Sequence, residues 1–212
     1  TVPEELKPYC QVQMEVRSRD HQQRYEVFCR VLDPLEKAGI PVHFQFADPH
    51  DIYIFDPEYV EKLTREFSCI EGYTITELNM EHYHTFNVPR YAVSPVARYA
   101  ADIIELGAKY GKHTLVPLQS LKWMHIGADF LNQPLMQTVA KYGKYVVPIN
   151  EHIGPQHLTR QTSIWALWLA GITENWGVEP QSWWFENGRM ITPGIFGQQE
   201  PDNTRIMPPE MY

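Results

Sequence analysis

The sequence predicts an α/β protein, a (β/α)-barrel of TIM type that is incomplete or trimmed. Three observations predict it. Apolar strands alternate with amphipathic helices five times, with a sixth strand behind them. The first strand is followed by VRSRDHQ, which has none of the glycines of a nucleotide-binding open sheet. The 212 residues suit one core, yet a full eight-fold barrel usually needs about 250. The whole chain, residues 1–212, is therefore read as a single barrel-like catalytic domain, mature or a fragment of a longer polypeptide, since it opens on Thr1 with no apolar leader.

Residues 9–16 (YCQVQMEV) alternate apolar and polar, as a half-buried strand does. Asp20 opens a helix through Ala38 with Tyr25, Phe28, Val31, Leu32 and Leu35 on one face; Pro34 is expected to kink or restart it, and Gly39 stops it. PVHFQFA (41–47) is the second strand. Asp56-Pro57 caps a second helix carrying Val60, Leu63 and Phe67. Residues 70–77 (IEGYTITE) form the third strand, and Ser94-Pro95 starts a third helix with Val96, Tyr99, Ala100, Ile103 and Leu106.

An internal echo follows. Residues 108–119 (AKYGKHTLVPLQ) and 140–151 (AKYGKYVVPINE) each read as a helix end, a Gly-Lys stop and an apolar strand, and aligning them sets Gln119 against Glu151. A further helix spans 156–171. Its Trp165 and Trp168 read as core, as does Trp176 in the short sixth strand, residues 176–178. From Pro180 onward the chain reads as loop.

Composition narrows the function. A net charge of −8 with singly scattered Lys and Arg speaks against nucleic acid and anionic membranes, and no apolar run is long enough for a membrane span. Cys10, Cys29 and Cys69 make no CxxC and read as buried free thiols.

In parallel α/β sheets the chemistry sits at the carboxyl ends of the strands. Those ends offer Arg17 and Arg19, Asp48 and His50, then Glu77, Gln119 and Asn150-Glu151. Glu77 and Glu151 each close an apolar strand. Such half-buried carboxylates have raised pKa values suited to proton transfer, and two facing one pocket can cleave a glycosidic bond. Taken alone, either could instead cap a helix or pair with an arginine. Flat aromatics in the following loops (Tyr83, Phe86, Trp123, Trp183, Trp184 and Phe185) suit stacking on sugar rings. Glu81, His82, His84, His152 and Glu179 complete the expected substrate contacts. The rival reading takes His82, His84 and His152 as metal ligands of a barrel hydrolase. A third takes the chain as a non-catalytic carbohydrate-binding barrel. The leading reading needs no metal and no cofactor; it leaves the oligomeric state open. No nucleophile elbow appears.

The segments FSCIEGYTITE, LGAKYGKHTLV and PINEHIGPQHLTRQTSIWALWLAGITENWG, with VPEELKPYCQV at the start, resemble the catalytic barrel of glycoside hydrolase family 98 over residues 1–184. The resemblance implies a cofactor-free, inverting endo-β-galactosidase acting on host glycans such as blood-group antigens. It also implies a secreted or cell-surface bacterial protein. By position, Glu77 matches one strand-end glutamate of the family site, taken as the general acid, and Glu151 another, positioning or deprotonating water. Where acidic residues are expected after Trp176-Gly177, only Glu179 stands.

Overall fold

The computed structural model describes residues 12–15, 20–45, 47–48, 53–75, 95–119, 123, 133–152 and 157–180. Strand β1 (Val12–Glu15) leads into helix α1 (His21–Ala38). The Asp20 side chain accepts the Gln23 backbone N–H, and Gly39, at φ 63°, turns the chain out of the helix. Pro34 neither ends nor restarts α1. It removes one ladder bond near the end of the helix, where buried Leu32 and partly buried Leu35 hold the last turns to the core.

Strand β2 (Val42–Gln45) is followed by a feature the sequence did not suggest: a two-residue ribbon, β3 (Ala47–Asp48) antiparallel to β4 (Tyr53–Ile54). Helix α2 (Pro57–Glu66) starts as expected at Asp56-Pro57 and buries Val60, Leu63 and Thr64. Phe67 is its extended C-cap rather than a helical residue.

Strand β5 (Ile70–Thr74), helix α3 (Pro95–Tyr110), strand β6 (His113–Gln119), helix α4 (Gln133–Tyr142), a 3₁₀ turn (Gly143–Tyr145), strand β7 (Val146–His152), helix α5 (His157–Leu169) and strand β8 (Gly177–Pro180) complete the order.

The main sheet is parallel and runs in chain order, β1-β2-β5-β6-β7-β8. Among the described residues the strand order never reverses, so no switch point of a doubly wound sheet arises. Right-handed crossovers in unbroken sequence put every helix on one face. The packing agrees. Phe28 of α1 sets its ring edge-on to Phe44 of β2, centroids 4.7 Å apart. The hydroxyls of Thr64 on α2 and Tyr73 on β5 lie 2.7 Å apart. Gly107 of α3 lies so close to Thr114 of β6 that a Cβ there would meet the Thr114 Oγ1 at 2.8 Å. The fold is thus an α/β sheet with helices to one side. Its core is built from α1, α2 and α3 against Phe44, Ile70, Tyr73, Val116 and Leu118.

Candidate active site at the carboxyl edge of the sheet

The register places three predicted residues in one row. Gln119 pairs with Glu151, and Glu151 with Glu179, across β6, β7 and β8. Pairing between β6 and β7 follows the same offset that superposes the two copies of AKYGK, from Thr114 with Val146 to Gln119 with Glu151. The echo in the sequence is therefore the strand register itself. Residues paired in this way share a face. Tyr73, Thr114 and Val146 form a row on the helix side. The backbones of Gln119, Glu151 and Glu179 lie side by side at the carboxyl edge of β6, β7 and β8.

Asn150 falls on the other parity. It pairs with Leu118 and Val178, on the helix-facing rows, and is 1% exposed. Neither atom of its side-chain amide finds a hydrogen-bond partner among the described residues. A buried, unsatisfied amide next to the central glutamate is costly.

The face turned away from the helices is polar at one side of the sheet and apolar at the other. His43, Gln45 and Thr74 occupy this face on β2 and β5, whereas Leu115, Pro117, Val147, Ile149 and Gly177 occupy it on β6 to β8. His43 and Thr74 were not singled out from the sequence. His43 Nδ1 and Thr74 Oγ1 are buried without a hydrogen-bond partner among the described residues. Burial holds the His43 imidazole below its usual pKa, the nearby Glu71 charge opposing that shift and His113 adding to it. The signal was present in VHFQF. A parallel strand covered on both faces reads as a continuous apolar run, and here polar residues alternate.

Trp123 is a correction. It is 4% exposed, belongs to the core cluster, and donates its indole N–H to the Ile149 carbonyl at 3.0 Å. Burying the ring while satisfying its one donor makes it a packing residue, and no open stacking face remains. Trp168 and Trp176, read as core, are corrected in the opposite sense. Trp168 and Trp176 are exposed at 44% and 39%, with ring centroids 6.5 Å apart, and Trp165 meets Trp176 edge-on at 6.1 Å.

Cys29 and Cys69 are free thiols, Cys69 buried as expected and Cys29 only half-buried; burial pushes the Cys69 thiol up to about 12, which makes it inert. Cys10, Glu77, Glu81, His82, Tyr83, His84, Phe86, Trp183, Trp184 and Phe185 lie outside the described residues. Among the described residues no group of three or more His, Cys, Asp or Glu is placed to hold a metal ion. No helix there is long and apolar enough to cross a membrane.

These features define a class: an α/β domain whose described residues form a parallel sheet in chain order with helices packed against it. The chain belongs to glycosyl hydrolase family 98, whose family model matches residues 1–212. Its fold is that of the catalytic module of a family 98 glycoside hydrolase from Streptococcus pneumoniae TIGR4. The structure of that module in complex with the H-disaccharide blood group antigen matches with a TM-score of 0.69 at 20% identity. The native form matches with a TM-score of 0.70, and the complex with the LewisY pentasaccharide blood group antigen with 0.63, both at 20% identity. Each match covers 86% of this chain and 33% of the solved one, so the chain spans about one third of those structures' length. No curated protein sequence matches it.

Proposed function

We propose that this chain forms an arc of a (β/α)₈-type barrel that hydrolyses a glycosidic bond in a complex glycan. The proposed reaction is endo-β-galactosidase-like, inverting, and free of metal and cofactor. Glu77 and Glu151 divide the work: one protonates the leaving oxygen while the other removes a proton from the attacking water. The observation that carries this reading is the row Gln119–Glu151–Glu179 at the carboxyl edge of three adjacent strands, in a chain of family 98. The antigens bound by the Streptococcus modules suggest blood-group glycans as substrates. Encounter with such glycans fits a secreted or cell-surface bacterial enzyme. Gln119 and Glu179 flank the central glutamate as substrate contacts, with Glu81, His82, His84, His152, Trp183 and Trp184 offered by neighbouring segments.

The test is cleavage of a LewisY-bearing glycan by full-length protein carrying Glu77→Gln or Glu151→Gln. Each variant should lose about 10²–10⁴-fold in rate, the usual contribution of a general acid or base. The anomer released first, read by NMR, should be inverted. Full activity in both variants would sink the assignment.

A further inference from the structure

Strands β2, β5 and β6 bring two histidines to one level of the sheet, with a glycine between them. Val42 pairs with Ile70 but His43 pairs with Gly72, so the register shifts by one residue at Glu71. That shift sets Gly72 opposite His43, and Gly72 pairs on its other side with His113. The His43 ring lies against the glycine: a Cβ on Gly72 would meet its Cε1 at 2.5 Å and its Nδ1 at 3.0 Å. The ring is on the face turned away from the helices, since the next residue, Phe44, meets Phe28 of α1.

This seat accepts a neutral imidazole and resists a charged one. His43 is 8% exposed, and its Nδ1 is buried with no hydrogen-bond partner among the described residues. A neutral imidazole donates from one ring nitrogen only, whereas the protonated ring donates from both. Protonation would leave a buried N–H without an acceptor at Nδ1 and would bury a charge beside His113. From this arrangement we infer that His43, seated on Gly72 beside His113, is an acid-sensitive latch. Uncharged, it holds β2, β5 and β6 together; protonated, it loosens them. The latch acts on the sheet whichever residues cleave the glycan, so it goes beyond the glycosidase reading and does not depend on it.

The surrounding charges are few. On β5, the exposed Glu71 favours the protonated ring, and on β6 the His113 charge disfavours it. Lys112 precedes His113, and the Tyr145 ring, ahead of β7, lies 6.2 Å from that of His113. On β1 the register sets Gln13 beside His43 and Glu15 beside Gln45. Strand β2 carries no other titratable residue. Helix α1 packs on the opposite face, where Arg24 lies over the Phe55 ring, and its Glu36 is engaged by Ser68 and Cys69. Helix α2 meets Tyr73 on that same opposite face, and its Glu61 is held by Lys109. Burial outweighs every charge and moves the His43 titration below the ordinary 6.5. A base depressed in this way gives its full stability above the unfolded value, and loses it as pH falls from there toward the folded one.

The experiment uses the full chain labelled with ¹³C at histidine, as wild type, His43→Gln, His113→Gln and Glu71→Gln. The His43 ring should titrate below 6.5 in wild type. At low ionic strength, His113→Gln should raise that titration by about 0.3 pH unit or more, the effect in water of a unit charge two strand spacings away. Glu71→Gln should lower it. Between about pH 7.5 and pH 5.5, the urea midpoint should fall further in wild type than in His43→Gln. A His43 titration at or above 6.5 overturns the inference, as does an equal fall of the two midpoints. Should His43→Gln fail to fold, the opposite shifts in the other two variants decide, and a titration unmoved in both overturns the latch.

Discussion

The pentapeptide AKYGK occurs twice, at residues 108–112 and 140–144, and the two copies agree in one respect and differ in another. Both use their Lys-Tyr pair to clasp the preceding helix. Lys109 and Tyr110 each reach Glu61 on α2 at 2.7 Å. Tyr142 reaches Glu105 on α3 at 2.7 Å, with Lys141 at 3.9 Å. The glycines part company. Gly111 sits at φ 68° just past the end of α3, with open space where a Cβ would go. Gly143 is not in the left-handed region. Itself buried, it begins a 3₁₀ turn beneath the α5–β8 connection, where a Cβ would lie 1.7 Å from the Ile172 carbonyl oxygen. One glycine is chosen for its backbone angle and the other for its lack of volume. Identical local sequence does not report which; the presence of Ile172 over the second copy decides it.

The contrast can be broken most sharply at the glycines. Gly143→Ala forces backbone apart and should cost about 4 kcal/mol or more, the range of severe core disruption, read as a large fall in the urea midpoint. Gly111→Ala meets no neighbour and should cost only the left-handed strain of about 1–2 kcal/mol. If the second substitution proves the more damaging, the contrast is wrong. The clasps come next. Tyr110→Phe removes a part-buried hydrogen bond and should lower the urea midpoint more than the exposed Tyr142→Phe does. Equal losses would mean that exposure does not separate the copies.

The smallest effect concerns pH. The Lys109 and Tyr110 hydrogen bonds hold the Glu61 carboxyl below its usual value of 4.5. A carboxylate depressed on folding adds stability above that value and loses it as pH falls through the folded one. Unfolding midpoints taken from pH 5 to pH 3 should therefore drop less steeply in Glu61→Gln than in wild type. An unchanged slope would deny the first clasp its electrostatic part.

Much of the architecture was legible because its signals are local. Asp20, Asp56-Pro57, Gly39 and Gly111 punctuate the helices where the structure begins and ends them. The echo even carried the β6–β7 register. The β3–β4 ribbon escaped because two residues per strand leave no period to read. Trp123, Trp168 and Trp176 were misjudged because aromatic content does not say which ring finds a cover; tertiary packing does. Within the site, Gln119 and Glu151 could be paired from sequence. The position of Glu179 beside them depended on how the α5 crossover delivers β8, a non-local outcome.

The sheet's unbroken chain order also bears on how the protein is made. Among the described residues each strand of the main sheet after β1 pairs with one already synthesised, and α2, α3 and α4 each settle against the preceding helix. Growth of this kind lets the sheet extend from its amino-terminal side as the polypeptide leaves the ribosome, the newest strand always forming the edge on which the next unit assembles.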